Sequence, residues 1–433
     1  MLLSTIHRFL EFATINSLIP SEVLNLTETR NGSASLSNRP IKVAHLGKYY
    51  PPASGGIETH TQTLVQGQAA LGADVRVVVV NHRDDKGKDV TFRKFRRTLT
   101  VNECDENVRV MRIGRVACLA KLDLAPGLIN AIRIISKDPP DIWHLHTPNV
   151  TMMLAVASLP IVKPIVITHH SDIIRQRVLK HILSPLERMI YSRADCILAT
   201  SSQYIEGSKL LQRFEKKVVS LPLGINLDQF KNPSPNAMAC AEAFRTKYPG
   251  PIWLCVGRLI YYKGFDIAIR ALADVPGNLL LIGTGPMKQE LEILAEKCGV
   301  KNRVHWLGWA SGDQLVGAYQ AARALWFPSN ARSEAFGLVQ VEAMASRCPV
   351  INTAIPASGV SWVSPDEVSG ITVPVNNHLA FANAANRLAM DDELYKKLSD
   401  EGYNRATEEF CYSKMAQRSL DVYSQIIKLT SES

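Results

Sequence analysis

The chain has 433 residues, enough for two domains that each bury a core, and its 46% hydrophobic and 21% charged residues exclude a mainly disordered or fibrous protein. The most apolar stretch, residues 150–168, is interrupted by Pro160, Lys163 and Pro164, so it reads as the end of one element followed by a buried strand and not as a membrane span. The whole net charge of +9 belongs to the first half: residues 1–230 carry 29 Lys+Arg against 20 Asp+Glu, and residues 231–433 carry 20 of each.

Residues 1–39 are expected to form an N-terminal extension, with one short amphipathic helix suggested by Leu2, Leu3, Ile6, Phe9, Leu10 and Ala13. The basic start and long apolar region of a signal peptide are missing. From residue 40 the rhythm is strand, loop, helix: a strand at residues 41–46, a loop to Gly56, helical spacing over 57–71, and a β-branched run at 75–80. Continuous apolar runs of this kind, buried on both faces, indicate a parallel sheet with crossover helices. Further strands are predicted at 108–113, 142–146, 165–168 and 196–200. A Pro/Asn-rich break near residues 220–250 precedes a second series at 252–256, 279–282, 304–307, 324–327 and 350–352. The prediction is an α/β protein of two Rossmann-like, doubly wound domains facing a cleft, spanning residues 40–225 and 226–408, followed by a helical segment at 409–433. Ligands of such sheets sit at the carboxyl ends of the strands, so both domains should present theirs to the cleft.

The eight cysteines lie at least 14 residues apart, with no CxxC pair and no zinc spacing, and read as reduced, mostly buried thiols of a cytoplasmic protein. In the first loop, Gly55 and Gly56 stand directly before a helix, where backbone amides can meet an anion, although simple turn geometry accounts for such a pair as well. In VGRLIYYKG, Arg258 and Lys263 follow a buried strand and suit a pyrophosphate; a solvated loop is the plain alternative. Gly283 and Gly285 of GTGP form a turn that allows a ligand close to the backbone.

The block SEAFGLVQVEAMA is the strongest signal. If residues 336–345 are helical, Glu342 lies about two turns and roughly 12 Å beyond Glu334 on nearly the same face, the span of the sugar and ribose of one nucleotide-sugar. The leading amides near Phe336, Gly337 and Leu338 can face a phosphate. Two histidine sites end strands in the first half: His144 and His146 in HLHTP, and His169 and His170, with Asp172, in THHSD. A metal is the rival reading, disfavoured because the two sites lie on different strands without a helical His-x3-His pair.

Together, GGIETH, THHSD, VGRLIYYKG, GTGP, the E-x7-E block and GITVP, in this order over residues 40–430, resemble the retaining nucleotide-sugar glycosyltransferases of the GT-B fold, family 4. KYYPP, HHSDIIRQ and GVSWV bring the resemblance nearest to bacterial enzymes building lipid-linked surface polysaccharides. The resemblance implies that Arg258 and Lys263 hold the diphosphate, Glu342 binds the ribose hydroxyls, Glu334 contacts the transferred sugar and His169 lies beside that sugar, with His170 competing for the inward position. It implies that Gly55 and Gly56 approach the diphosphate or acceptor, and that the C-terminal helix crosses back onto the first domain.

Sugar transfer with retention, without a metal or other cofactor, is the implied chemistry; GDP-mannose is favoured as donor over UDP-hexoses, and the acceptor is a glycan or lipid-linked saccharide. The basic first domain, including RKFRR at 93–97 and residues 173–193, reads either as attraction to an anionic membrane surface at the inner face of the plasma membrane or as ordinary solvated charge. No nucleic-acid motif accompanies it. The rivals are a GT-B nucleotide-sugar epimerase, a catalytically inactive sugar-binding subunit and, more weakly, a dehydrogenase, for which neither half has a GxGxxG fingerprint.

Overall fold

Consecutive valines of the run Asp74–Val80 separate to opposite sides: Val75, Val77 and Val79 pack with Val65 and Tyr50, while Val78 and Val80 pack with Leu128, Ile132 and Trp143. A strand apolar at every position has to be covered on both faces, which is the condition for a doubly wound sheet. The computed structural model in which this is seen describes residues 39–53, 55–119, 122–160, 164–171, 177–310 and 312–432. The helix expected within residues 1–39 falls outside them, as does Asp172.

The first sheet is built from β1 (Lys42–Leu46), β2 (Asp74–Val80), β3 (Val101–Asp105) and β4 (Val108–Ile113), then, beyond a hairpin of β5 (Ala117–Leu119) and β6 (Leu122–Leu124), from β7 (Ile142–Thr147), β8 (Ile165–His169), β9 (Cys196–Ala199) and β10 (Val218–Ser220). Its order is β10-β9-β8-β7-β1-β2-β4-β3, parallel except for β3. The helix Gly56–Ala70 covers one face together with the C-terminal helix Tyr412–Ser431; the helices Gly127–Ile135, Val150–Ala157 and Arg177–Arg193 cover the other. The second sheet holds β11 (Ile252–Val256), β12 (Asn278–Ile282), β13 (Val304–Gly308), β14 (Ala324–Phe327), β15 (Val350–Thr353) and β16 (Gly370–Val373), all parallel, in the order β13-β12-β11-β14-β15-β16.

The chain order reverses between β1 and β7 in one sheet and between β11 and β14 in the other, and such switch points are where α/β sheets open a crevice for ligands. The C-terminal segment returns to the first sheet: Ile225 exchanges backbone hydrogen bonds with Phe410 and Tyr412 (both 3.0 Å). Gly67 then lets the two helices meet, since a Cβ there would lie 2.8 Å from Ala416 Cβ. All eight cysteines are free, and four of them, Cys118, Cys196, Cys255 and Cys348, are buried. No helix among the described residues is long and apolar enough to cross a membrane.

Candidate active site

Three loops at the carboxyl ends of the neighbouring strands β12, β11 and β14 carry the charged motifs of the second half. After β11, Gly257 and Leu259 donate backbone hydrogen bonds to Ile282 O (2.9 Å) and Thr284 O (3.0 Å), tying the VGR and GTGP loops together. A Cβ on Gly283 would fall 1.8 Å from Gly257 O, and one on Gly285 would fall 2.4 Å from Leu259 O. These two glycines are therefore required by loop-on-loop contact within the protein, a reason the sequence reading of a ligand turn did not contain.

Lys263 reaches from the loop after β11 to the loop after β14. Its Nζ lies 2.6 Å from Glu334 Oε2, with both side chains about 12% exposed, and sits 5.1 Å from the Phe327 ring centroid. Ser329 Oγ also donates to Glu334 Oε2 (3.2 Å). Arg258 is exposed and makes no ion pair among the described residues, which leaves its planar fork available to an anion.

The helix expected over 336–345 starts later, at Leu338–Ala345. Gly337 takes φ +81°, a conformation that interrupts a right-handed helix, and a Cβ there would meet Phe327 Cζ at 2.6 Å. Glu334 and Glu342 consequently do not share a helical face; the loop after β14 brings Glu334 to Lys263. Phe336 is buried against Trp362 and Phe410, so its ring belongs to the core, and Leu338 packs partly buried beside that core. Glu342 accepts a hydrogen bond from the Tyr319 hydroxyl (2.7 Å). Burial raises its carboxyl above the usual range, opposed by Tyr319 and by the nearby charge of Lys263.

In the first domain the alternation of β8 separates the two adjacent histidines. His169 Nδ1 meets the Tyr191 hydroxyl (2.6 Å) on the face of the helix Arg177–Arg193. His170 points the opposite way: its Nε2 lies 3.1 Å from His146 Nδ1, and its ring stands 4.8 Å, edge-on, from His60 on the helix that follows Gly55 and Gly56. The two imidazoles thus face opposite sides, because successive strand residues point to opposite faces. Gly56 has open space around its Cα, whereas a Cβ on Gly55 would strike the Glu58 carboxylate.

His45, His60, His144, His146 and His170 form one buried layer under this helix. Burial lowers them all: His45 to about 4, His60 to about 3, and the other three well below 6.5. Two overlapping sets, His45/His144/His146 and His60/His146/His170, have ligating atoms within 4.8 Å of one another and are the residues that could hold a metal.

Residues 54–229 match the family model "Glycosyltransferase Family 4" and residues 242–405 match "Glycosyl transferases group 1", together well over half of the chain. The chain belongs to glycosyltransferase family 4. Its relatives include the O-antigen chain mannosyltransferase C of Escherichia coli, 28% identical over 90% of this chain and all of that protein. D-rhamnosyltransferase WbpZ of Pseudomonas aeruginosa is 33% identical over 56% of this chain and 63% of its own length. The fold is that of GT-B enzymes: sucrose-phosphate synthase from Thermosynechococcus elongatus superposes with a TM-score of 0.72 at 24% identity, covering 90% of this chain and 99% of that one. Anabaena HepE, solved in complex with UDP, gives 0.70 at 18%, over 89% of this chain and all of its own.

Several residues of this glycosyltransferase have no local sequence signal. Tyr319, which holds Glu342, is 23 positions away on another helix. Arg332 joins the domains: its guanidinium lies 4.4 Å from the Tyr204 ring and donates to Tyr204 O (3.1 Å) and Ala357 O (2.8 Å). His45 pairs with residues a hundred positions on. Only the parallel register of β1 with β7, which sets His45 beside His144, could have announced it.

Proposed function

We propose that this glycosyltransferase transfers a hexose, mannose favoured, from a nucleotide-sugar to a lipid-linked or saccharide acceptor of a bacterial surface polysaccharide, with retention at the anomeric carbon. The contact between Lys263 and Glu334 carries the reading: it sets a cation for the diphosphate next to a carboxylate for sugar hydroxyls at the switch point of the second sheet. The similarity to the O-antigen chain mannosyltransferase C supports mannose and the polysaccharide context. HepE with UDP supports a nucleoside diphosphate as the leaving group's chemistry.

In this reading Arg258 and Lys263 stabilise the charge that builds on the departing diphosphate, a role for which a metal is not required. The bond from C1 to the phosphate oxygen breaks, and the acceptor oxygen bonds to C1 on the same face. The acceptor proton passes to the leaving phosphate oxygen. Glu342 holds the ribose hydroxyls, Glu334 and His170 flank the sugar, and the amides ahead of Leu338 face the diphosphate. The first domain binds the acceptor, its basic surface drawn to anionic lipid at the inner face of the plasma membrane. Phe92, Phe95 and Leu99, 78%, 72% and 67% exposed around the basic 93–97 segment, support that attachment.

The test is incubation with GDP-mannose and UDP-hexoses with and without lipid-linked acceptor. Acceptor-dependent release of nucleoside diphosphate, with a product of unchanged anomeric configuration, is expected. Interconversion of sugars without acceptor would identify an epimerase, and binding without turnover an inactive subunit.

A further inference from the structure

Four of the five buried histidines, His45, His144, His146 and His170, lie on two hydrogen-bond branches that meet at Gln68 and Tyr423, and the direction of each branch can be read from the C-terminal helix. Ser419 of the C-terminal helix spends its hydroxyl proton on Ala416 O (2.6 Å), so towards Gln68 it can only accept. That orients the Gln68 carboxamide: its NH2 donates to Ser419 Oγ (2.8 Å) and to the Tyr423 hydroxyl (3.1 Å), and its Oε1 is left facing His45 Nε2 at 2.8 Å. His45 Nε2 must then carry the proton, and His45 Nδ1 must accept from His146 Nε2, 3.0 Å away. His146 Nδ1 in turn accepts from His170 Nε2. On a second branch Tyr423, already accepting from Gln68, donates to His144 Nδ1, and His144 Nε2 donates to Thr168 Oγ1 (2.6 Å).

We propose that Gln68, acting through His45 and His146, is a positioning residue that holds His170 as the Nε2–H tautomer and leaves its Nδ1 as a bare lone pair, an acceptor for a sugar hydroxyl and not a donor to a phosphate oxygen. Burial supports this by keeping every ring neutral, so each has one donor and one acceptor nitrogen. The C-terminal helix thereby sets the chemistry of an imidazole on the first domain, since Ser419 and Tyr423 hold the amide that starts the relay. The functional half rests on the reading of His170 as the imidazole beside the sugar; the tautomer does not.

Long-range proton–nitrogen spectra of 15N-histidine-labelled protein, assigned by single His→Gln variants, distinguish the tautomers. His45, His144, His146 and His170 are each expected as Nε2–H, with Nδ1 unprotonated. A wild-type His170 that is Nδ1–H, or averages between tautomers, overturns the relay without any variant. Stoichiometric metal in purified protein also overturns it, because a metal would need the same lone pairs of His45 or His146. Gln68→Leu, if folded, should mix the tautomers of His45, His146 and His170 and lower kcat/KM roughly tenfold, the effect of one lost hydrogen bond. Mixed tautomers with unchanged kcat/KM in a protein that transfers sugar would overturn the functional half. A wild-type protein that transfers nothing would sink the transferase reading and leave the tautomer result standing.

Discussion

Lys263 and Glu334, 71 positions apart in the chain, meet as an ion pair of 2.6 Å with little solvent access. In the proposed function Lys263 would meet the diphosphate from a position already braced by Glu334. Lys263→Ala is expected to lower turnover on the order of a hundredfold or more, the scale of a lost oxyanion donor. Thermal melting and acceptor-dependent nucleoside diphosphate release, measured on the same preparation, separate catalysis from folding. Turnover within a factor of two of wild type would contradict the role.

Glu342 depends on Tyr319 for its orientation. Tyr319→Phe removes one hydrogen bond at nearly constant volume, so donor KM should rise about three- to tenfold while kcat changes less. Steady-state kinetics with varied donor decide it; a fall in kcat alone would assign Glu342 to the chemical step.

The histidine layer makes stability acid-sensitive, and the sign follows from burial. The folded chain keeps His45 near 4, His60 near 3, and His144, His146 and His170 well below 6.5, whereas the unfolded chain protonates all five near 6.5. Between those values the unfolded state binds more protons, so stability falls as pH drops from 6.5 towards 4, by about 1.4 kcal/mol per pH unit for each histidine. Urea unfolding at pH 7.5, 6.5 and 5.5 should show a slope of several protons below 6.5. A slope below one proton would disprove it.

At Gly67 the helix Gly56–Ala70 and the C-terminal helix leave no room for a Cβ, which would lie 2.8 Å from Ala416 Cβ. Gly67→Leu forces Ala416 and Tyr412 apart and should cost about 1–3 kcal/mol, read as a lower urea midpoint. Gly72→Leu serves as a contrast of a different kind: its Cβ would meet open space, so any loss there comes from backbone φ alone.

Membrane attachment through the 92–99 segment predicts that Phe92→Ser/Phe95→Ser weakens sedimentation with anionic vesicles and that salt weakens the wild type. Equal binding to neutral and anionic vesicles would remove the basic residues from the account.

The central strands of the second sheet were legible because an apolar run buried on both faces leaves no other local solution: β11 and β14 occupy the expected residues. The edge strand β3, VNECD, was not, since an exposed strand needs no apolar pattern. The helix expected from residue 336 starts two residues later, because Gly337 takes a left-handed turn at a place where Phe327 leaves no room for a Cβ.

The residue types of the site, a basic pair, two glutamates and strand-end histidines, were written in short motifs, because each motif is a loop or strand end whose chemistry needs only its own few residues. Which of those residues meet was decided by the tertiary structure. Lys263 found Glu334 because β11 and β14 are neighbours across a switch point, and His169 and His170 were sent to opposite sides by the alternation at the end of β8. Distance along the chain has no bearing on either contact; parallel pairing and strand alternation do, and both are properties of the assembled sheet.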